Sequence, residues 1–112
     1  VVKIGGFDLN IEAIDRDTAD SQGIMGDCSW ADLRIRYCTG YPEGVQVGVL
    51  AHEIVHGIVN DRGLATQGSP RDERITDGFT NGLVSFIRDN PKLALYLVKK
   101  IIDTTHEEPT ET

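Results

Sequence analysis

Along the first third of the chain, apolar and polar positions alternate with a period of two. Phe7, Leu9, Ile11 and Ala13 are separated by polar neighbours, and Val2 and Ile4 precede them across Gly5-Gly6. The pattern predicts a hairpin, because successive strand side chains point to opposite faces and a glycine pair supplies a tight turn. Asp15 to Gly23 is polar and turn-rich. Ile24 to Trp30 and Leu33 to Tyr37 then read as a second extended pair, with Leu33, Ile35 and Tyr37 on one face. A small antiparallel sheet is expected.

From Pro42 the period becomes helical, with Pro42 suited to a first turn and Gly63 placed to stop the helix. On a helical wheel Val47, Ala51, Ile54 and Ile58 form one apolar arc and Val45, Val49 and Val59 another. Only Gln46, Glu53, Gly57 and Asn60 make a narrow polar strip, so this helix is expected to be buried nearly all round. A second helix starts at Ser69-Pro70-Arg71-Asp72, with a capping Ser and Pro at the first position, and presents Ile75, Phe79, Leu83 and Phe86 as its core face. Asn90-Pro91 ends it and caps a third helix, whose Leu93, Leu95, Tyr96, Leu97, Val98, Ile101 and Ile102 add packing surface. The expected fold is α+β: a small antiparallel N-terminal sheet followed by three helices, with residues 1–112 forming one domain.

Composition narrows the function classes. With 112 residues and a net charge of -7, the chain has no Lys/Arg stripe to offset phosphate repulsion, which argues against a nucleic-acid partner. No apolar run reaches the length of a membrane span. The N-terminus lacks a basic start and apolar stretch, so cytoplasmic placement is expected. An acidic tail from about residue 104 is expected to be disordered. If the strands around Ala31-Asp32 form a tight hairpin, Cys28 lies opposite a residue near Ile35 and not opposite Cys38, so a disulfide is disfavoured.

The candidate chemistry sits on the first helix. His52-Glu53-Ile54-Val55-His56 has the form H-E-x-x-H, and residues four apart share a helix face, so both imidazoles can reach one ion. Ordinary residue frequencies yield this pattern by accident in well under ~1% of chains this long. Zinc suits two neutral imidazoles and a carboxylate, leaving an open position for a water that Glu53 can deprotonate as general base. A carboxylate on a mostly apolar helix also calls for a compensating cation or a solvated cleft.

Two histidines need a third ligand. The sequence after His56 lacks the downstream His of metzincins, and Asp77 lacks the Gly-Thr-x-Asp context of aspzincins. Cys28 is a fainter candidate, better read as a small strand residue. Glu73 remains, with Asp77 one turn further along the second helix. Glu73 can bind the ion while Asp77 orients a ligating His. The metal site is thus expected between the first and second helices.

His52, Glu53, His56, Glu73 and Asp77 together resemble the gluzincins, in which an H-E-x-x-H helix is followed by a helix bearing Glu-x-x-x-Asp. The resemblance implies a minimal zincin-like domain binding one zinc ion through His52, His56 and Glu73, with Asp77 as support. It implies an endopeptidase acting on a protein or peptide. The run from Glu73 through Phe79, Asn81-Gly82-Leu83 and Arg88-Asp89-Asn90-Pro91 is similar to small phage- and prophage-encoded metallopeptidases distantly akin to ImmA/IrrE-type proteins. An edge strand before the metal helix, Leu33 to Tyr37, is the expected dock for an extended substrate. No residue is assigned to polarise the carbonyl, Tyr37, Tyr41, Tyr96 and His106 each having a blander explanation. A metal-binding regulatory domain without turnover, or a latent peptidase with the tail or Cys28 on the metal, are the rival readings.

Overall fold

The computed structural model describes residues 1–106, except the side chains of residues 105 and 106. In chain order the elements are β1 (Val2–Ile4), β2 (Phe7–Ile14), α1 (Arg16–Gln22), β3 (Gly26–Ser29), β4 (Arg34–Cys38), α2 (Glu43–Asp61), α3 (Pro70–Asp89) and α4 (Pro91–His106). The fold is α+β, as expected, with four helices among the described residues where three were anticipated.

The extra helix is α1. Asp15 caps it by accepting the Thr18 N–H at 2.7 Å, and Gly23 ends it in the left-handed region at φ 68°. Both are ordinary terminus signals. Between them only Ala19 is buried, so the segment carries no apolar period to announce a helix.

This short helix also changes the sheet. The strand order is β1-β2-β4-β3. β1 pairs antiparallel with β2, β3 antiparallel with β4, and β2 parallel with β4. The sheet is therefore mixed, not antiparallel. A tight turn after β2 would have paired β3 directly against it. The excursion through α1 instead sets β3 one strand further out, and β4 fills the gap. Consequently Arg34–Cys38 is an interior strand and β3 is the edge, reversing the expectation for Leu33 to Tyr37. Cys28 pairs with Ile35, and both cysteines are free thiols, as the hairpin register predicts.

Two compact units divide the chain, Val1–Thr80 and Asn81 onward. In the first, Ile4, Leu9 and Ile35 form the core, with Val2, Cys28, Trp30, Leu50 and Ile54 packed around them. Helix α2 packs against this sheet but is not buried nearly all round in the way its apolar arcs led one to expect. Its buried residues are Glu53, Val55, His56, Gly57 and Val59, while Val45, Val47 and Ile58 are exposed. Gly57 explains the choice: a Cβ there would stand 2.8 Å from Ile4 Cδ1 and 3.6 Å from Cys28 Sγ. The bare backbone lets the helix approach β1 and β3 closely, and the larger valines on the other arc could not.

Helix α3 repeats the inversion. Within the first unit it buries Asp72, Thr76 and Thr80, four residues apart on one face, and leaves Phe79 exposed. In the second unit, Leu83 and Phe86 are exposed, and so are Leu93, Leu95, Tyr96, Leu97, Val98, Ile101 and Ile102 of α4, whereas Ala94 is buried. Of the anticipated core faces, only Ile75 is half-buried; the other named residues of both helices are exposed. The backbone ladder continues through the junction, with Asn90 N–H donating to Phe86 O at 2.9 Å and Ala94 N–H to Asn90 O at 2.9 Å. Helix α4 runs beyond residue 104, where the tail was expected to begin; residues 107–112 lie outside the described residues. No helix among the described residues is long and apolar enough to cross a membrane.

Candidate metal centre

His52, Glu53 and His56 sit on successive turns of α2, and Glu73, Asp72, Thr76 and Asp77 on the first turns of α3. Ser69 fixes where α3 starts: its hydroxyl accepts the Asp72 N–H at 3.1 Å and its carbonyl the Glu73 N–H at 3.1 Å. The four-residue spacing brings the His52 and His56 rings to 4.6 Å between centroids, nearly perpendicular at 81°. Ligand atoms of His52, His56 and Glu73 lie within 4.8 Å of one another, and this group can hold a metal ion.

The individual distances refine that geometry. Glu73 Oε1 is 3.0 Å from His56 Nε2, and Glu73 Oε2 is 3.9 Å from His52 Nε2. These bracket the ~3.4 Å that separates donors arranged tetrahedrally at ~2.0–2.1 Å from a zinc ion.

Hydrogen bonding decides which imidazole atoms face one another. His56 Nδ1 lies 2.8 Å from Asp72 Oδ1. Asp72 is 1% exposed. Burial works to raise its pKa, but the Gly68 N–H, His56 and Asn60 outweigh that and hold the carboxyl below its ordinary range. An ionised Asp72 accepts a hydrogen bond from Nδ1–H, and in that neutral tautomer His56 Nε2 carries a lone pair. That lone pair then faces a carboxylate oxygen at 3.0 Å. Two acceptors at this distance repel unless a cation, a proton or a metal ion, lies between them.

Glu53 is 8% exposed. Burial pushes its carboxyl up to about 7, with Asp27, Glu73 and Asp72 adding to the rise and His56 opposing it. The edge strand β3 runs directly alongside: a Cβ on Gly26 would stand 2.6 Å from Arg36 O, 2.7 Å from Val49 Cγ1 and 3.4 Å from Glu53 Cγ. Asp27, the next residue, is clamped on its other face by Arg36, which donates from Nε to Oδ1 at 2.9 Å and from Nη2 to Oδ2 at 2.5 Å. This bidentate pair holds β3 in register against β4.

The structure brings His52, His56 and Glu73 together, with Glu53 on the same helix next to His52. Asp77 is also close, with Oδ1 at 3.4 Å from His52 Nδ1, longer than a well-formed hydrogen bond. Cys28 is not part of the group, and burial, with help from Glu53, Asp27 and Asp72, pushes its thiol up to about 11. A thiol held protonated is a poor metal ligand. Tyr37 lines a shallow cavity of about 160 Å³ with Glu43, Gln46, Val47 and Leu50, and Tyr41 lies under Arg16, whose guanidinium carbon is 4.4 Å from the ring centroid.

Sequence reasoning took Asp72 only as a helix first-turn acid and did not single out Thr76. The Thr76 hydroxyl lies 3.2 Å from Asp72 Oδ1 and 3.1 Å from His56 Nδ1. The available signal was the polar stripe Asp72, Thr76, Thr80 at four-residue spacing, hidden behind the more conspicuous apolar stripe.

Chemically, the arrangement is a group of two imidazoles and one carboxylate that could hold a metal ion, near a shielded carboxyl group whose pKa burial raises to about 7. The chain matches no protein-family model, no curated protein and no solved structure. The functional reading therefore stands on these residues alone.

Proposed function

We propose that this chain is a zinc-dependent peptidase of gluzincin type, hydrolysing peptide bonds in a protein or peptide. One observation carries the reading: lone pairs of His52, His56 and Glu73 converge next to the shielded carboxyl of Glu53. Two imidazoles and a carboxylate suit zinc better than harder cations, which prefer all-oxygen sites. Zinc held there supplies a Lewis acid and lowers the pKa of a water toward neutrality.

The remaining work falls to the chain. Glu53, with a carboxyl near 7, is matched to taking a proton from water and returning it to the leaving amide nitrogen at neutral pH. The free edge of β3 offers backbone groups beside Glu53 to an extended substrate segment. Free Cys28 and Cys38 fit action in a reducing compartment such as the cytosol.

The rival reading, a metal-binding regulatory domain without turnover, draws on the limited exposure of Glu53. Cleavage of casein by wild type and Glu53→Gln separates the two, with bound zinc measured in both. A peptidase keeps zinc and loses cleavage in the variant. Equal cleavage by both proteins would remove Glu53 from the reaction, and zinc without cleavage in wild type would favour the rival.

A further inference from the structure

The gluzincin pattern places the supporting carboxylate at Asp77, yet the best-buried carboxylate at the site belongs to Asp72. Asp77 is 58% exposed at its side chain and stands 3.4 Å from His52 Nδ1. Around the Asp72 carboxylate stand His56 Nδ1 at 2.8 Å and the Thr76 hydroxyl at 3.2 Å on Oδ1, Gly68 N–H at 2.9 Å on Oδ2, and the Asn60 side chain.

We propose that Asp72 is the chief positioning residue of this site, and that through it metal occupancy is coupled to the order of the connection at residues 63–69. The proposal rests on the metal reading above and deepens it.

Asp72 acts through its two carboxylate oxygens. Oδ1 accepts the hydrogen bond of His56 Nδ1–H and so selects the tautomer whose Nε2 can bind a metal. The Thr76 hydroxyl lies 3.1 Å from the same Nδ1 and donates to Oδ1. Oδ2 takes the Gly68 N–H, whose position depends on the connection between α2 and α3. That connection is anchored again where the Trp30 N–H, just past β3, donates to Gln67 Oε1 at 3.4 Å. One buried carboxylate therefore joins a ligand imidazole to a loop that reaches the end of the edge strand.

An amide cannot do the same. In Asp72→Asn one oxygen becomes an NH2 donor. Whichever way the amide is turned, that group faces either Gly68 N–H or His56 Nδ1–H, donor against donor. Either the loop loses its acceptor or His56 loses its tautomer. Coupling of this kind is reciprocal: a metal that strengthens the Nδ1–H···Asp72 bond also favours the loop conformation that completes the carboxylate's shell.

The test begins without metal. Long-range proton–nitrogen correlation spectra of the imidazoles in metal-free wild type report the His56 tautomer, expected as Nδ1–H; an Nε2–H ring would overturn the proposal. Zinc affinity is then measured by competition with a chromophoric chelator in wild type, Asp72→Asn and Asp77→Asn. Asp72→Asn is expected to bind ~10–100-fold more weakly, with a smaller loss in Asp77→Asn; the reverse order would overturn it. Hydrogen exchange at the Gly68 amide should slow when zinc is added to wild type, and unchanged exchange would refute the coupling. If wild type takes up no zinc, the metal reading fails, while the tautomer still decides the role of Asp72. If Asp72→Asn does not fold, the two wild-type measurements decide.

Discussion

Replacing Glu53 by Gln should stabilise the metal-free protein by an amount that grows as pH rises from 4.5 to about 7 and is constant above. In the folded chain the Glu53 carboxyl titrates at about 7, against an ordinary 4.5. The folded state thus binds the proton more tightly than the unfolded chain does. Below pH 4.5 Glu53 is neutral in both states and nearly isosteric with Gln, so the two proteins should be equally stable. Between pH 4.5 and about 7 the unfolded chain gives up the proton that the folded state keeps, so stability is lost across that window and levels off once Glu53 ionises in the folded state as well. At about 1.4 kcal/mol per pH unit, the difference amounts to roughly 3 kcal/mol. Urea unfolding of both proteins at pH 4.5 and pH 8.5, with chelator present, measures it. The expected result is coincident curves at the lower pH and a higher midpoint for Glu53→Gln at the upper. Equal midpoints at both pH values would refute the shielding of Glu53 and, with it, the tuned general base.

Three further outcomes test the packing around the site. Leu9→Ala, in the core at 0% exposure, should cost ~2–5 kcal/mol, while Leu95→Ala, 71% exposed on α4, should stay within ~0.5 kcal/mol; denaturant titration compares them. Gly26→Ala drives a methyl into the Arg36 carbonyl at 2.6 Å. It should lower stability by ~1–3 kcal/mol and increase hydrogen exchange along β3, which amide exchange would detect. Cys28, its thiol pushed up to about 11, should resist iodoacetamide at pH 8 in the folded protein, and labelling as fast as in urea would contradict its burial.

How legible the site was follows from how local its determinants are. The His52–His56 pair could be read because helical periodicity alone sets two side chains one turn apart. Glu73 followed because Ser69 and Pro70 mark the start of α3 unambiguously. The pairing of Cys28 with Ile35 followed because a tight turn fixes register.

What escaped depends on contacts remote in sequence. The insertion of β4 between β2 and β3 is decided by how far α1 displaces the chain, and α1 itself has no apolar period. The burial of α2 was overestimated at Val45, Val47 and Ile58, and its Glu53–Gly57 strip was taken for the polar one, because Gly57 counts as a gap in a hydrophobic arc whereas in packing a missing side chain permits the closest approach. The same error on α3 hid Asp72, whose value lies in His56, sixteen residues away. The apolar stripes of α3 and α4 were read as core because periodicity reports amphipathicity and not which face is covered.

The central claim is a zinc ion held by His52, His56 and Glu73. An X-ray absorption spectrum at the zinc edge of protein reconstituted with one equivalent tests it most directly. The expected spectrum has two imidazole nitrogens at ~2.0–2.1 Å, oxygen at ~2.0–2.2 Å and no sulfur. A sulfur at ~2.3 Å, which would bring Cys28 into the site, or a shell lacking histidine, would contradict it.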